Sequence, residues 1–443
     1  MTFLIGPQAQ ELFFKANDDQ LSQDECYHFM TAVFGPDVVY DAPKRKRQVQ
    51  FQTMANGLRT SRMKTYVGKI QYETIQYLKD HWNATTNVNA NANGGDVGCG
   101  GTVNLYKALS ELTILTASRC LHGDDVREHM FKELQMLYHD LDEGLTPLTV
   151  LWSTAPTPAH LKRNKARQQL VELFRTVIQQ RREHPEKSDG TDILSLFMEI
   201  VYKDGTKITE EEVTGLLIAL LFAGQHTSCT TSTWTMLWML HTPHILQRVL
   251  DEQERILQQQ PQQQPQTTTT STDTTPPSST STLSLDLDAI NQMEILHNCM
   301  REALRLCPTF IMLLRKALQD LKVVVDGKTM VIPKGDLVVV SPTVSMRLNS
   351  TFPKADTFDP DRYGPEREEH KIPYAYLGFG GGMHSCMGQV FAFCQVKTIL
   401  STILYYYDLE MEAKTLPDIG YTDMVVGPRG NCNVHYRLKR PLK

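Results

Sequence analysis

Apolar residues recur at spacings of three and four through Asn104 to Arg119 (NLYKALSELTILTASR) and again from Val126 to Leu141, which predicts two amphipathic helices. Thr209-Glu210-Glu211-Glu212 offers a hydroxyl and, three residues on, an acid, the pattern of a capping box, and opens a predicted helix running to about Leu240. Roughly 30 residues at about 1.5 Å each carry this helix about 45 Å, enough to cross a whole domain. Its apolar part, Leu216 to Ala223, is too short for a bilayer, and the polar stretch Gln225 to Thr233 is costly in lipid, so the pattern is that of a buried helix with a polar interruption. After Arg305 short strands are predicted at Val323 to Val325, Met330 to Ile332 and Leu337 to Ser341, with a turn at Asp326-Gly327. An apolar helix from Val390 to Leu404 follows. The chain is predicted to be mainly α with a small β portion, in one large domain.

Two stretches do not fit a packed core. Asn83 to Gly101 is rich in Asn and Gly, and Gln258 to Thr282 is a Gln, Thr, Pro and Ser tract without an aromatic residue. Both are expected to be surface insertions inside the single domain, because loop closure costs little more entropy as a loop lengthens. With 45 Lys+Arg against 50 Asp+Glu in 443 residues, the charge excludes a basic nucleic-acid arm, and no nucleic-acid partner is expected. Nine cysteines, odd in number and without paired spacings, point to a reducing compartment rather than a disulfide framework. The start, MTFLIGPQAQELFF, has neither the basic and apolar regions of a signal peptide nor the length of a membrane anchor. Lys44-Arg45-Lys46-Arg47 reads as a solvated loop or helix start, with a localisation signal as the alternative.

The chemistry concentrates at Phe379-Gly380-Gly381-Gly382-Met383-His384-Ser385-Cys386-Met387-Gly388. A glycine-rich loop delivers a cysteine to a helix start, where the dipole and free N–H groups favour thiolate, the form that ligates a metal. Glycines let the backbone approach a flat cofactor, and Phe379 is placed to cover the sulfur. A buried structural cysteine is one alternative. Zinc on His384 and Cys386 is a weaker one, for want of further ligands. The ten residues resemble the haem-ligand loop of the cytochrome P-450 superfamily. Glu302-Ala303-Leu304-Arg305 puts acid and base on one helix face, and Arg362, in Phe358-Asp359-Pro360-Asp361-Arg362-Tyr363, matches the third member of that superfamily's structural triad. Ala223-Gly224-Gln225-His226-Thr227-Ser228 resembles its oxygen-binding kink, and His226, where most members carry an acid, marks the sterol 14α-demethylase family. Ala108 to Gly123 and Ser341 to Leu348 are also close to that family's sequence.

The resemblance implies haem b with Cys386 as axial thiolate, Phe379 and Gly380 lining it, and Tyr40, Arg315 and His384 at its propionates. It gives Thr227 and His226 the handling of oxygen and protons. It places Tyr27, Phe34, Tyr40, Phe310, Met312, Leu313 and Met424 around an apolar sterol. Its reaction is removal of the sterol 14α-methyl group by three oxygenations with O2, on electrons from NADPH through a reductase docked on the thiolate side. Members sit on the cytosolic face of the endoplasmic reticulum membrane; this chain shows no anchor. The match is expected from about Tyr27 onward, with the family's earlier strands and entry channel missing and folding compromised if the protein begins at Met1. Two departures stand out: Leu145 where the family often has Phe, and Phe51 or Gln52 in place of a basic helix residue near the propionates. A hydroxylase of another lipid and a non-catalytic haem-binding scaffold are the competing readings.

Overall fold

The chain opens on strand β1 (Thr2–Leu4) and helix α1 (Pro7–Lys15), whose Pro7 takes the first helical position, where its missing N–H is not needed. The structure, a computed structural model, describes residues 1–82, 100–146, 148–149, 152–188, 190–259, 283–421 and 425–442. After β2 (Leu21–Ser22) comes helix α2 (Lys44–Gly57). Strands β3 (Leu313–Ala317) and β4 (Leu337–Val340) complete a four-stranded sheet in the order β1-β4-β3-β2. In it β1 runs parallel to β4, with Thr2 beside Val338 and Leu4 beside Val340, while β3 is antiparallel to both its neighbours. Leu4, Phe13, Phe14 and Leu21 fill the core of this sheet with Val338, Val340 and Phe352. The segment before Tyr27, expected to lie outside the resemblance and to leave the sheet incomplete, therefore supplies two of its strands and a packed helix. At three and two residues, β1 and β2 are too short for a period to reveal them.

The second body is helical. Helix α3 (Leu105–Leu121) starts where predicted, because the Asn104 side chain accepts the Lys107 N–H at 3.0 Å. The pattern from Val126 to Leu141 divides into Asp124–His129 and α4 (Phe131–Glu143), Met130 between them leaving helical geometry at φ −124. Helix α5 (Glu210–His241) carries both capping-box bonds, Glu212 N–H to Thr209 Oγ1 at 3.1 Å and Thr209 N–H to Glu212 Oε2 at 2.8 Å. It packs against α3, α6 (Glu294–Leu306) and α7 (Gln389–Tyr406). Among the described residues α5 is the one helix with the length and apolarity of a membrane span, and it is the core helix: Leu216, Leu217, Ile218 and Leu221 are fully buried.

The predicted hairpin is present as Leu321–Val325 and Lys328–Ile332, with Asp326 at φ 50 and Gly327 at φ 72 as a primed turn requires. The insertion bounds shift inward. Gly100 and Gly101 begin strand Gly100–Asn104, paired with Asn433–Leu438, and residues 258–259 end helix Pro243–Gln259. The remainder of both stretches lies outside the described residues.

Candidate active site

Local hydrogen bonds lock the loop before α7: Gly380 N–H to the Leu377 carbonyl at 3.0 Å, Ser385 N–H to Gly382 at 3.2 Å and Cys386 N–H to Phe379 at 2.9 Å. Gly382, at φ +65, is where α1 passes underneath; a Cβ there would lie 2.1 Å from the Phe14 carbonyl oxygen. Cys386 is exposed, whereas Cys120, Cys229, Cys299, Cys307, Cys394 and Cys432 are buried. The loop presents this sulfur instead of packing it, which removes the reading as a core cysteine. Crowding on the loop side nevertheless pushes the thiol above its usual range, opposed by the Gly388 N–H. The helix itself starts three residues later, so the bare loop gives the sulfur less help than the sequence suggests. Among the described residues no cluster of three His, Cys, Asp or Glu side chains is placed to hold a metal ion. The Phe379 ring packs 5.1 Å from Phe393 of α7.

Basic and aromatic groups gather on one side of this loop. Arg315 of β3 is buried, with no carboxylate within ion-pair distance among the described residues; its Nη1 donates to the carbonyls of Phe13 at 2.7 Å and Ala16 at 3.3 Å, and its guanidinium lies over the Phe13 ring. His384 Nε2 meets Asp18 Oδ1 at 2.7 Å. Tyr40 stacks on Tyr27 at 5.4 Å and on Phe34 at 6.4 Å, and burial holds its hydroxyl far above the usual range and so neutral. On α2 stand Phe51 and Gln52, where the sequence suggests the loss of a basic residue. Phe51 packs against the core and Gln52 is exposed, but Arg47, one turn earlier, pairs with Asp24 and lies near the Tyr40 hydroxyl. Its only signal in the sequence is the basic run at 44–47.

On α5 the Thr227 hydroxyl donates to the Ala223 carbonyl at 2.5 Å, and His226 Nε2 faces Asp142 Oδ1 of α4 at 3.3 Å. The helix is continuous through the expected kink, yet Ala223 is exposed and Gly224 to Thr227 half-buried between fully buried neighbours. Asp142, unmarked by any motif, is brought in by the packing of α4.

Glu302 of α6 is completely buried and accepts five hydrogen bonds: two from Arg305, one from Arg362 Nε at 3.0 Å, one from the Asp359 N–H and one from the Tyr363 hydroxyl. Arg305 and Arg362 spend their other donors on the carbonyls of Met346, Pro353 and Lys354. The triad expected from the sequence is thus assembled and fully satisfied.

The cytochrome P450 family profile matches residues 1–434. Over 443 residues the chain is 40% identical to the sterol 14-demethylase of Arabidopsis thaliana, covering 99% of this chain and 83% of that protein. It is 39% identical to the obtusifoliol 14-alpha demethylase of Sorghum bicolor, covering 99% and 82%, and 34% identical to the human lanosterol 14-alpha demethylase, covering 100% and 78%. The chain belongs to the sterol 14α-demethylase family of cytochromes P450. The fold also matches the retinoic acid-bound cyanobacterial CYP120A1, with a TM-score of 0.79 at 20% identity over 99% of this chain and 89% of that one. The family match begins at residue 1, not near Tyr27 as expected.

This P450 chain fits the haem its family carries: a glycine-locked loop holds Cys386 exposed, where its sulfur would ligate the iron. The residues expected at the substrate divide. Phe34 is buried and Tyr27 and Leu313 half-buried, Tyr27 bonding the Leu314 backbone next to Arg315. Phe310 and Met312, on the approach to β3, are exposed large apolar groups. Met424 lies outside the described residues. Leu145 packs half-buried against the helical core.

Proposed function

We propose that this sterol 14α-demethylase holds haem b through the Cys386 thiolate and moves protons through Asp142, His226 and Thr227. The enzyme removes the 14α-methyl group of a sterol precursor by three successive oxygenations. Each takes up O2, two electrons and two protons, places one oxygen atom on the methyl carbon and releases the other as water; the first two give alcohol and then aldehyde, and the third breaks the carbon–carbon bond, releasing that carbon as formate and leaving a double bond in the sterol. Thiolate-held haem supplies O2 activation, since the sulfur pushes electron density that favours O–O cleavage.

The chain's own groups do the rest. Arg315, His384, Tyr40 and Arg47 would hold the propionates, with charge-assisted bonds from the cations. Asp142 is partly exposed and His226 less so, which gives a proton a path from solvent to the imidazole. The Thr227 hydroxyl, one residue on, passes it inward by turning from the Ala223 carbonyl. Phe379 and Gly380 shape the sulfur side. Tyr27, Phe34, Phe310, Met312, Leu313 and Met424 wall an apolar site suited to a long, flat ligand with one hydroxyl. Electrons come from NADPH through a reductase at the thiolate-side face. The place of work is the cytosolic face of the endoplasmic reticulum membrane.

The observation that carries this reading is Cys386, presented outward by the loop before α7. The test is the carbon monoxide difference spectrum of the reduced protein, followed by titration with a 14α-methyl sterol. A thiolate-type band that Cys386→Ala abolishes, with a sterol-induced spin shift, is the expected result. A band surviving the substitution assigns the iron to another residue, and a shift given by fatty acids but not by the sterol redirects the substrate.

A further inference from the structure

The three basic side chains proposed for the propionates share an arrangement. Each is fastened by one nitrogen to the segment from Phe13 to Asp24. Arg315 is held through Nη1 by the Phe13 and Ala16 carbonyls, His384 through Nε2 by Asp18, and Arg47 through Nη1 by Asp24. Among the described residues none of the three makes another hydrogen bond with its remaining side-chain nitrogens. Arg47 keeps Nε and Nη2, Arg315 keeps the same pair, and His384 keeps Nδ1. Asp18 also acts on Arg315, and with Tyr27 it opposes the burial that lowers this guanidinium's affinity for its proton. A free surface acid beside a lysine would form a loose pair of little consequence. Here both cations are well covered, Arg47 at 12% and His384 at 19% exposure, so each carboxylate fixes a side chain that has little room to turn.

We infer that Asp18 and Asp24 are positioning residues for the haem-binding cations, each tying one nitrogen of its partner so that the free donor edge is held toward the propionates. This rests on the propionate roles proposed for Arg47, Arg315 and His384. It makes the N-terminal segment part of the cofactor site, although none of its side chains touches the haem in this scheme. Tethering lowers the conformational entropy lost when a propionate is gripped, as carboxylate partners do for metal-bound histidines. The two carboxylates also place negative charge near the iron. That charge opposes the extra electron of the ferrous state, through a medium where screening is weak.

The test uses the holoenzyme. Haem loss to an excess of apomyoglobin and the ferric/ferrous potential are measured for wild type, Asp18→Asn, Asp18→Ala, Asp24→Asn and Asp24→Ala. Each alanine variant is expected to lose haem about tenfold faster, the scale of one charge-assisted bond. Each asparagine variant keeps an acceptor oxygen and should lose haem more slowly than its alanine counterpart. Its potential should shift upward, with the melting temperature unchanged. That shift is one a merely structural carboxylate would not give. Wild-type rates of haem loss in both alanine variants, or unshifted potentials in both asparagine variants, overturn the inference. Arg47→Gln and His384→Gln separate the two levels. If they too retain haem like wild type, the propionate roles fail; if they lose it while the aspartate variants do not, only the positioning role fails.

Discussion

At the scale of single residues, the site combines groups that the chain satisfies completely with groups that it leaves available. Glu302 is of the first kind. Its two oxygens accept from Arg305, Arg362, Tyr363 and the Asp359 backbone, all in the interior. Glu302→Gln puts an amide NH2 against a guanidinium and leaves two buried cations short of charge; breaking such a pair costs about 3–5 kcal/mol. The variant is expected to melt well below wild type or to accumulate without haem, and a melting curve matching wild type would contradict this. Thr227 is of the second kind, since its single bond to Ala223 is one that a helical threonine readily gives up. Thr227→Ala should leave the carbon monoxide band intact while less product forms per O2 consumed, the balance appearing as hydrogen peroxide. Asp142→Asn keeps the shape of the His226 partner without its charge. It should slow turnover about a hundredfold at unchanged sterol affinity, the low end of what positioned proton transfer contributes. An unaltered turnover number would remove Asp142 from the relay.

At the scale of elements, what the sequence revealed depended on length and on local chemistry. Helix α5 was legible from Thr209 and Glu212 because its cap is made by residues three apart, and α3 from its apolar period and the Asn104 cap. Cys386, Thr227 and the triad were legible because each sits in a contiguous motif. The unreadable part came from long-range packing. Strands β1 and β2 exist only because β4 and β3 lie beside them, and Asp142, Asp18 and Asp24 gain meaning from partners far along the chain. The break at Met130 was hidden because the apolar period runs through it unchanged. The contact of α1 with the cysteine loop belongs to the same class and has a direct consequence. Gly382 combines a positive φ with a Phe14 carbonyl where its Cβ would stand. Gly382→Ala must strain the loop or move α1, at about 1–3 kcal/mol for the backbone alone. Its expected signature is a lower melting temperature together with faster haem loss. A Gly→Ala change at Gly68, on an exposed helix face with open space around it, should show neither effect.

At the scale of the whole molecule, burial of histidines sets how the fold responds to acid. Burial, with Arg181 beside it, pushes His122 down to about 3, and burial with Lys397 and Arg301 near pushes His297 down to about 4. In the unfolded chain both return to about 6.5. Between these values the unfolded state binds more protons than the folded one, so stability rises with pH there and is lost as pH falls from about 6.5 toward 4. Each unit of separation corresponds to about 1.4 kcal/mol, so the two sites together make the fold acid-labile by several kcal/mol. The contribution of His297 is separable, because its ring stacks on Phe393 at 4.1 Å and a phenyl ring preserves that contact. His297→Phe is therefore expected to melt close to wild type at pH 7 and above it at pH 5, with a smaller loss between the two. Its position also makes the outcome readable at the active site, since Phe393 packs against Phe379 on the sulfur side of the cysteine loop. If protonated His297 disturbs that stack, wild type at pH 5 should lose the thiolate-type carbon monoxide band before it unfolds, and the phenylalanine variant should keep the band. Equal losses of melting temperature and of band in the two proteins would place the acid sensitivity elsewhere, with His122 between α3 and α5 as the next site to substitute.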